Sequence, residues 1–386
     1  YPFGQFNFST KAFCASRCIY CAFYSTVGTH LQEAYVEALG REMRLRSHYL
    51  SEDQPVRTVY LGGGTPSQLT PTHLETLFRD LDQAIITPRN RGVRPEEITI
   101  ECNPDDMNDD YAKALSALGI NRVSMGVQTF DDERLRFLRR HQARQAGAAI
   151  DSLLRAGISN ISIDLIFGFP AQTIAEWDRD LTQALALRPS HLSAYGLSYE
   201  EGTPLTRLLR EGSIRPIDEE ESLRMYDHLC DRLEGAGYEH YELSNFALPG
   251  YRSRHNSGYW QGVPYLGLGA AAHSYDGESR QWNVGDLSMY IDSIAHDRIP
   301  MERETLDKDT RWDDLIVTAL RTCAGIDLSM VRHVFGADYL QFLLDTAQLS
   351  LGQGLLEIKG DHLRLTRSGI AVSDMVMADF MRSLGD

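Results

Sequence analysis

The chain has 386 residues, 42% of them hydrophobic, with 38 basic against 54 acidic residues and a formal charge of −16. Such a length carries one large core plus a smaller one. The acidic balance argues against an extended nucleic-acid footprint, which needs a positive stripe, and leaves only the local basic run Arg134 to Arg144.

Six cysteines, three of them grouped at Cys14, Cys18 and Cys21, do not make a secreted disulfide framework. No apolar run of about 18 residues suggests a membrane span, and the first residues lack a signal-peptide pattern. The expected location is cytoplasmic, with any membrane contact peripheral and through a partner.

In chain order, Gln5 to Thr10 reads as a first strand feeding the cysteine loop Phe13-Cys14-Ala15-Ser16-Arg17-Cys18-Ile19-Tyr20-Cys21-Ala22-Phe23. Residues 31–50 read as a helix with Leu31, Tyr35, Leu39 and Met43 on one stripe. A strand over 56–61 runs into Gly62-Gly63-Gly64-Thr65-Pro66-Ser67, and Thr70 or Pro71 opens the next helix. Strands follow at 98–102, 122–128, 161–167 and 191–195, with helices at 107–118, 131–156 (one or two) and 177–187 between them. Strand and helix alternating about every 30 residues predict a parallel α/β arrangement. Polar residues recurring near strand ends, at Glu101, Gln128 and Asp164, favour a partial (β/α)6 TIM-like barrel with ligands at that rim.

After residue 196 the pattern changes. A helix over 219–235 precedes a stretch rich in Gly, His, Tyr and Trp from Arg254 to Tyr275, expected to form a polar-aromatic rim over the barrel mouth. A helix near 307–319, a small hairpin at 355–358 and 362–365, and a closing helix at 369–383 predict a small winged-helix-like α+β domain. The expected division is a barrel core over 1–200, an extension over 201–303 and the C-terminal domain over 304–386.

Thiolates so close together suit zinc or an iron–sulfur cluster. A structural zinc site wants four protein ligands, and no fourth Cys follows closely. Cysteines separated by three and two residues resemble the radical S-adenosylmethionine (SAM) superfamily. That resemblance implies a [4Fe-4S] cluster on Cys14, Cys18 and Cys21, whose remaining iron is chelated by SAM. Tyr20 and Phe23 are expected to dry the site. The glycine run lacks the Lys of a phosphate loop and the dinucleotide fingerprint, so it reads as a turn letting backbone approach a ligand.

Taken together, the cysteine loop, Gly62 to Ser67, Thr99 to Pro104, Asn121 to Phe130, Ile163 to Pro170, Glu201-Gly202-Thr203-Pro204, Ser244-Asn245-Phe246-Ala247 and His255-Asn256-Ser257-Gly258-Tyr259-Trp260 resemble the oxygen-independent coproporphyrinogen III oxidase family. The heme-chaperone branch of that family is the nearer match. Phe23 stands where the oxidases carry a fourth Cys, and the stretch before Cys14 is short.

The resemblance implies that Gly63, Gly64 and Thr65 meet the SAM amino group and that Glu101, Gln128 and Asp164 surround its methionine and ribose parts. It also implies that Arg140, with Arg139 as the alternative, pairs with its carboxylate. His255 is implied as a heme ligand, with Tyr259 and Trp260 against the porphyrin; His273 is a second candidate. Cys230 and Cys323 read as buried apolar residues.

The chain departs from the family at Ser9 to Ala12, at Ala22, at Ser253 and in the spacing of Arg139-Arg140-His141. The expected function is heme delivery to respiratory apoproteins, with a homodimer among the expected partners and SAM-dependent radical decarboxylation of coproporphyrinogen III as the enzymatic alternative.

Overall fold

A computed structural model describes residues 4–9, 18–21, 30–51, 54–140 and 145–382. Six strands lie side by side in chain order, all parallel: β1 (Gly4–Ser9), β2 (Val56–Gly62), β3 (Glu97–Cys102), β4 (Arg122–Gln128), β5 (Asn160–Phe167) and β6 (His191–Gly196). Beyond β6 the sheet continues antiparallel with β8 (Asn245–Ala247), which pairs in turn with β7 (Glu239–Glu242). On the other side β9 (Tyr265–Leu268) joins β1 in parallel. β10 (His273–Tyr275), β11 (Ser279–Asn283) and β12 (Met301–Thr305) then follow antiparallel. The expected α/β half-barrel is present, and its sheet stays open between the outer strands β12 and β7.

Register explains how the sheet sorts its side chains. Successive residues of a strand face opposite ways, and parallel pairing aligns like with like. One face carries Phe6, Val59 and Ile98 in one row and Phe8, Leu61, Ile100, Val123 and Ile161 in the next. These residues are at most 2% exposed. They pack against the apolar stripes of the flanking helices, including Tyr35, Leu39 and Met43 of Gln32–Leu45 and Trp177 and Leu181 of Ile174–Ala186. The opposite face, which lines the lumen, carries Asn7, Tyr60, Thr99 and Arg122, then Glu101, Ser124 and Ser162, then Asp164 and Ser193.

Most helix starts are set by residues that sequence patterns identify. Thr70 caps Pro71–Leu81, Asn108 caps Asp109–Ala117, and Thr173 with Glu176 forms a capping box at Ile174–Ala186. The helix expected over 31–50 stops at Leu45. The Arg46 side chain after it turns inward to Glu42 and Gln281, which ends the exposed run. The segment 131–156 forms two helices, Asp132–Phe137 and Ala146–Arg155. The closing helix expected at 369–383 breaks into Arg367–Ile370 and Ser373–Ala378. A second core surrounds Trp312, whose indole N–H donates to the Phe380 carbonyl at 2.8 Å. It packs helices against the small antiparallel sheet of β13 (Ile326–Asp327), β14 (Leu356–Lys359) and β15 (His362–Leu365).

The β9–β11 flank is held by one buried carboxylate. Glu42 accepts from the Gly269 N–H at 2.8 Å, the Tyr290 hydroxyl at 2.6 Å and the Asn283 amide at 2.7 Å, and pairs with Arg46 at 3.4 Å. Both ionic side chains are 4% exposed or less. Removing one member of such a pair leaves an uncompensated buried charge, at a cost of about 3–5 kcal/mol. Glu42→Ala is therefore expected to lower the urea-unfolding free energy by that order, and Glu42→Gln by less. A loss within about 0.5 kcal/mol for Glu42→Ala, the range of ordinary surface changes, would refute the latch.

Candidate cofactor site and cleft

The turn after β2 is built by its glycines. Gly63 has φ +87°, a conformation that side chains disfavour, and a Cβ on Gly62 would run into Tyr60 and Glu101. The Glu101 carboxylate closes this turn from the neighbouring strand. It accepts from the Tyr60 hydroxyl at 2.8 Å and from the Gly63 N–H at 3.0 Å. Thr65 and Ser67 are buried beyond the turn. Ser67 donates to Asp106 at 2.5 Å and accepts from the Asn103 N–H at 3.2 Å, tying the loop after β2 to the loop after β3.

From Asn103 the rim continues to Arg140. One guanidinium N–H group donates to the Asn103 side-chain oxygen at 2.7 Å and another to the Gly126 carbonyl at 2.6 Å. Arg140 is half-buried in this position while Arg139 is exposed with φ +61°. Of the two candidates, the structure brings Arg140 to the strand ends. Gln128, at the end of β4, is buried with φ +73°. Asp164 accepts from the hydroxyls of Ser124 at 3.2 Å and Ser162 at 3.4 Å. Glu101, Gln128, Asp164 and Arg140 thus share one end of the lumen with the glycine turn.

Cys18 and Cys21 form a tight turn there and neither is in a disulfide, with the Cys21 N–H donating to the Cys18 carbonyl at 3.4 Å. Cys14 lies outside the described residues, as do Phe23 and His141. Ile19, the first of the two residues between the thiols, anchors them. The Ile19 N–H donates to the Leu138 carbonyl at 3.3 Å, and the Ile19 carbonyl accepts from the Leu205 N–H at 2.9 Å. Its side chain packs with Leu138, Ile166, Phe169 and Leu205 in a separate apolar cluster. Tyr20 sits beside Cys18, Cys21 and Arg140, and burial raises its phenol pKa.

Arg122, on the lumen floor and 1% exposed, was not marked by any motif role. It makes no ion pair among the described residues, and its Nε has no partner. Its charge still reaches Glu101 and Asp164, favouring their ionised forms, and His191 and His255, favouring their neutral forms.

His255 lies in the helix Arg254–Trp260 rather than in a loop at the rim. A Cβ at Gly258 would strike the Gln5 amide, so this glycine lets the helix press directly on β1. His255 is fully buried and stacks on Tyr60 with ring centres 4.9 Å apart. Its Nδ1 is 2.8 Å from the Thr58 hydroxyl and its Nε2 is 2.8 Å from the Tyr259 hydroxyl. Burial, reinforced by Arg122, pulls its pKa down to about 3. With both nitrogens engaged, iron ligation by His255 would require breaking one of these hydrogen bonds.

The same helix forms one wall of a cleft of about 1150 Å³. The cleft begins at Gly62, Gly63 and Glu101, passes Tyr259, Trp260 and Tyr265, and ends at Val334 and Phe335 of the C-terminal unit. Trp260 is fixed on that wall by the Arg321 guanidinium, 4.1 Å from its ring centre, and Arg321 is held by the buried Glu242 at 2.6 Å. Cys323, expected to be buried, is exposed and lines this cleft, whereas Cys230 is buried as expected.

Residues 8–184 match the radical SAM superfamily, and residues 306–372 match the HemN C-terminal domain. A heme chaperone HemW of Lactococcus lactis is 32% identical over 375 residues, spanning 96% of this chain and 95% of its own. One from Synechocystis sp. is 36% identical over 335 residues, spanning 83% and 79%. The chain belongs to the HemW family of radical SAM proteins. Among solved structures, coproporphyrinogen III oxidase (HemN) from Escherichia coli superposes with a TM-score of 0.83 over 99% of this chain and 90% of its own. At 22% identity that likeness is one of fold.

Radical SAM membership implies a [4Fe-4S] cluster and SAM, and the residues present fit both. The two described thiols are not in disulfides and share one turn beside an apolar cluster, an arrangement that suits soft-metal ligands. The glycine turn, two carboxylates and a guanidinium offer acceptors for an ammonium and a donor fork for a carboxylate.

Burial pushes the Glu101 carboxyl up to about 7, with the Tyr60 hydrogen bond opposing and the Asp164 charge adding to the rise. An acid whose folded pKa is raised holds its proton where the unfolded chain has released it. Its stability contribution is therefore full below the ordinary value of 4.5 and falls as pH climbs toward 7. The depressed pKa of His255 acts in the opposite direction, so a variant comparison is needed to isolate Glu101. Relative to the unmodified chain without ligand, Glu101→Gln is expected to gain urea resistance progressively from about pH 5 to about pH 8. A difference that stays constant across that range would contradict a raised Glu101 pKa.

Proposed function

We propose that this chain is a heme chaperone that holds heme beside a SAM-liganded [4Fe-4S] cluster on Cys14, Cys18 and Cys21. It would deliver that heme to respiratory apoproteins. The observation that carries this reading is the cleft's continuity from the glycine turn and Glu101 to an aromatic wall made by the helix Arg254–Trp260. Aromatic faces and apolar side chains suit a flat, largely apolar ligand. A cleft that opens between two packed units also gives such a ligand a way out to a partner.

The protein's own residues have separable tasks in this reading. Gly63, Gly64 and Thr65 present backbone to the SAM ammonium. Arg140 takes the SAM carboxylate, and Glu101, Gln128 and Asp164 orient the rest. When bound, the cluster supplies an electron-transfer centre and an iron position for SAM. Ile19 and its apolar neighbours keep water away from the thiolates, and Tyr259 and Trp260 face the porphyrin. Relatives named heme chaperones over nearly the whole chain support this assignment.

The test is heme transfer. Anaerobically reconstituted chain is loaded with heme, mixed with an apoprotein that shows an absorbance change on heme uptake, and compared with a Cys18→Ser variant. Transfer from the unmodified chain, changed in rate by Cys18→Ser together with a loss of iron loading, is the expected result. No transfer, combined with conversion of coproporphyrinogen III to protoporphyrinogen under reducing conditions with SAM, would replace the chaperone by the oxidase.

A further inference from the structure

The floor of the lumen carries a buried cation, Arg122, at the start of β4. Its Nε and the hydroxyl of Thr99, its partner across β3, are both buried without a hydrogen-bond partner among the described residues. Register gives the reach of this charge. Glu101 lies two residues beyond Thr99 on the same face. One diagonal step therefore separates it from Arg122, about 6.6 Å along the strand and about 4.8 Å across it. On the other side Asn160 pairs with Arg122, and Ser162 and Asp164 follow two and four residues later on the lumen face. The guanidinium charge is felt at both carboxylates.

Holding a cation near a carboxylate is different from pairing with it. A direct ion pair fills acceptor sites of the carboxylate with guanidinium N–H groups. A charge set back from the carboxylate favours the anion and leaves those sites open. A carboxylate has about four acceptor sites, and Glu101 gives two of them, to the Tyr60 hydroxyl and the Gly63 N–H. The others suit an ammonium or a ribose hydroxyl. Against this, burial and the Asp164 charge push Glu101 toward its protonated form, with Tyr60, Gly63 and Arg122 opposing. At Asp164 burial is opposed by Ser193, Arg122, Ser124 and Ser162. The other groups around Arg122 supply no charge to do this work. Burial keeps His191 and His255 neutral and the Tyr60 and Tyr241 phenols protonated, and Glu97 is committed to the Arg254 and His255 N–H groups. Arg122 is the cation that acts on both carboxylates.

We propose that Arg122 is a positioning residue for SAM: without touching SAM, its charge holds Glu101 and Asp164 as the anions that face the SAM ammonium and ribose, and so extends SAM binding to lower pH. The inference rests on the SAM site of the reading above and adds what keeps that site charged.

SAM affinity measured by equilibrium dialysis from about pH 6 to about pH 9 tests it on the anaerobically reconstituted chain and on its Arg122→Met, Arg122→Gln and Arg122→Lys variants. SAM's own titration is common to all, so ratios between variants isolate the protein. A carboxylate that binds only as the anion loses affinity below its pKa, and removing a nearby cation moves that loss to higher pH. Arg122→Met is expected to match the unmodified chain near pH 9 and to bind SAM about tenfold more weakly near pH 6, the effect of a shift of about one unit. Arg122→Lys, which keeps a charge, is expected to restore most of the affinity near pH 6. An apolar residue of similar volume often replaces a buried ion without loss of fold, and Arg122→Gln carries the same expectation if Arg122→Met does not fold. An unchanged affinity, or a loss of equal size at every pH, overturns the inference while the SAM-binding reading stands. An unmodified chain that binds no SAM at any pH overturns both.

Discussion

The constraint on which this architecture depends is a sheet with two chemically opposite faces. The outer face is apolar and takes helices; the inner face is polar and charged, with Arg122, Glu97, Glu101 and Asp164 all facing the lumen. Buried charges are costly unless hydrogen-bonded or offset. The lumen answers with short internal bonds. Glu101 is held by Tyr60 and Gly63 and Asp164 by serines, while the Glu97 carboxylate accepts from the Arg254 and His255 N–H groups at 2.8 and 2.9 Å. Arg122 remains a central positive charge that reaches Glu101 and Asp164 at a distance. An apolar inner face would have collapsed on itself. The polar one keeps a space in which a charged, hydrogen-bonding ligand can replace water.

That inner face also explains the helix Arg254–Trp260. Its first turn caps onto Glu97, its histidine bridges Thr58 and Tyr259, and its glycine lets it lie against Gln5 of β1. The helix therefore belongs to the sheet's hydrogen-bonding scheme as much as to the cleft. Asn7 donates to the Tyr259 hydroxyl at 2.9 Å, which leaves the phenol proton free to go to His255 Nε2 and places the ring proton on Nδ1 toward Thr58. Neutral His255, kept uncharged by burial and by Arg122, suits that scheme.

The repeating units were legible because each obeys a local rule. Glycines mark the turn after β2, Thr70 and Pro71 mark a helix start, and strand and helix alternating about every 30 residues mark β2 to β6. Glu101, Gln128 and Asp164 were legible as strand-end residues because strand ends in a parallel sheet converge, whereas Arg140 and Arg139 were indicated only by the family resemblance. Sequence could not separate Arg140 from Arg139, since only the backbone turn at Arg139 shows which side chain swings toward Asn103 and Gly126. The tie of Asp106 to Ser67 and the roles of Tyr60 and Arg122 depend on register between strands, which no single-strand pattern contains. His255 illustrates the same limit. A histidine amid aromatics suggests a ligand, but its availability is decided by Thr58, which lies 197 positions away in the chain.

The cleft and the cofactor end share side chains, and this has a thermodynamic consequence. Tyr60 and Glu101 line the cleft, while Glu101 also braces the Gly63 turn and Tyr60 supports the His255 ring. A ligand at the glycine turn that competes for the Glu101 carboxylate loosens the Tyr60 hydrogen bond. A ligand in the cleft that presses on Tyr60 strengthens or weakens the same bond from the other side. Coupling between two bound ligands is reciprocal by necessity, so whatever SAM does to the hold on a cleft ligand, that ligand does to the hold on SAM. The side chain common to both ends is the Glu101 carboxylate, shared between the Gly63 turn and the Tyr60 phenol.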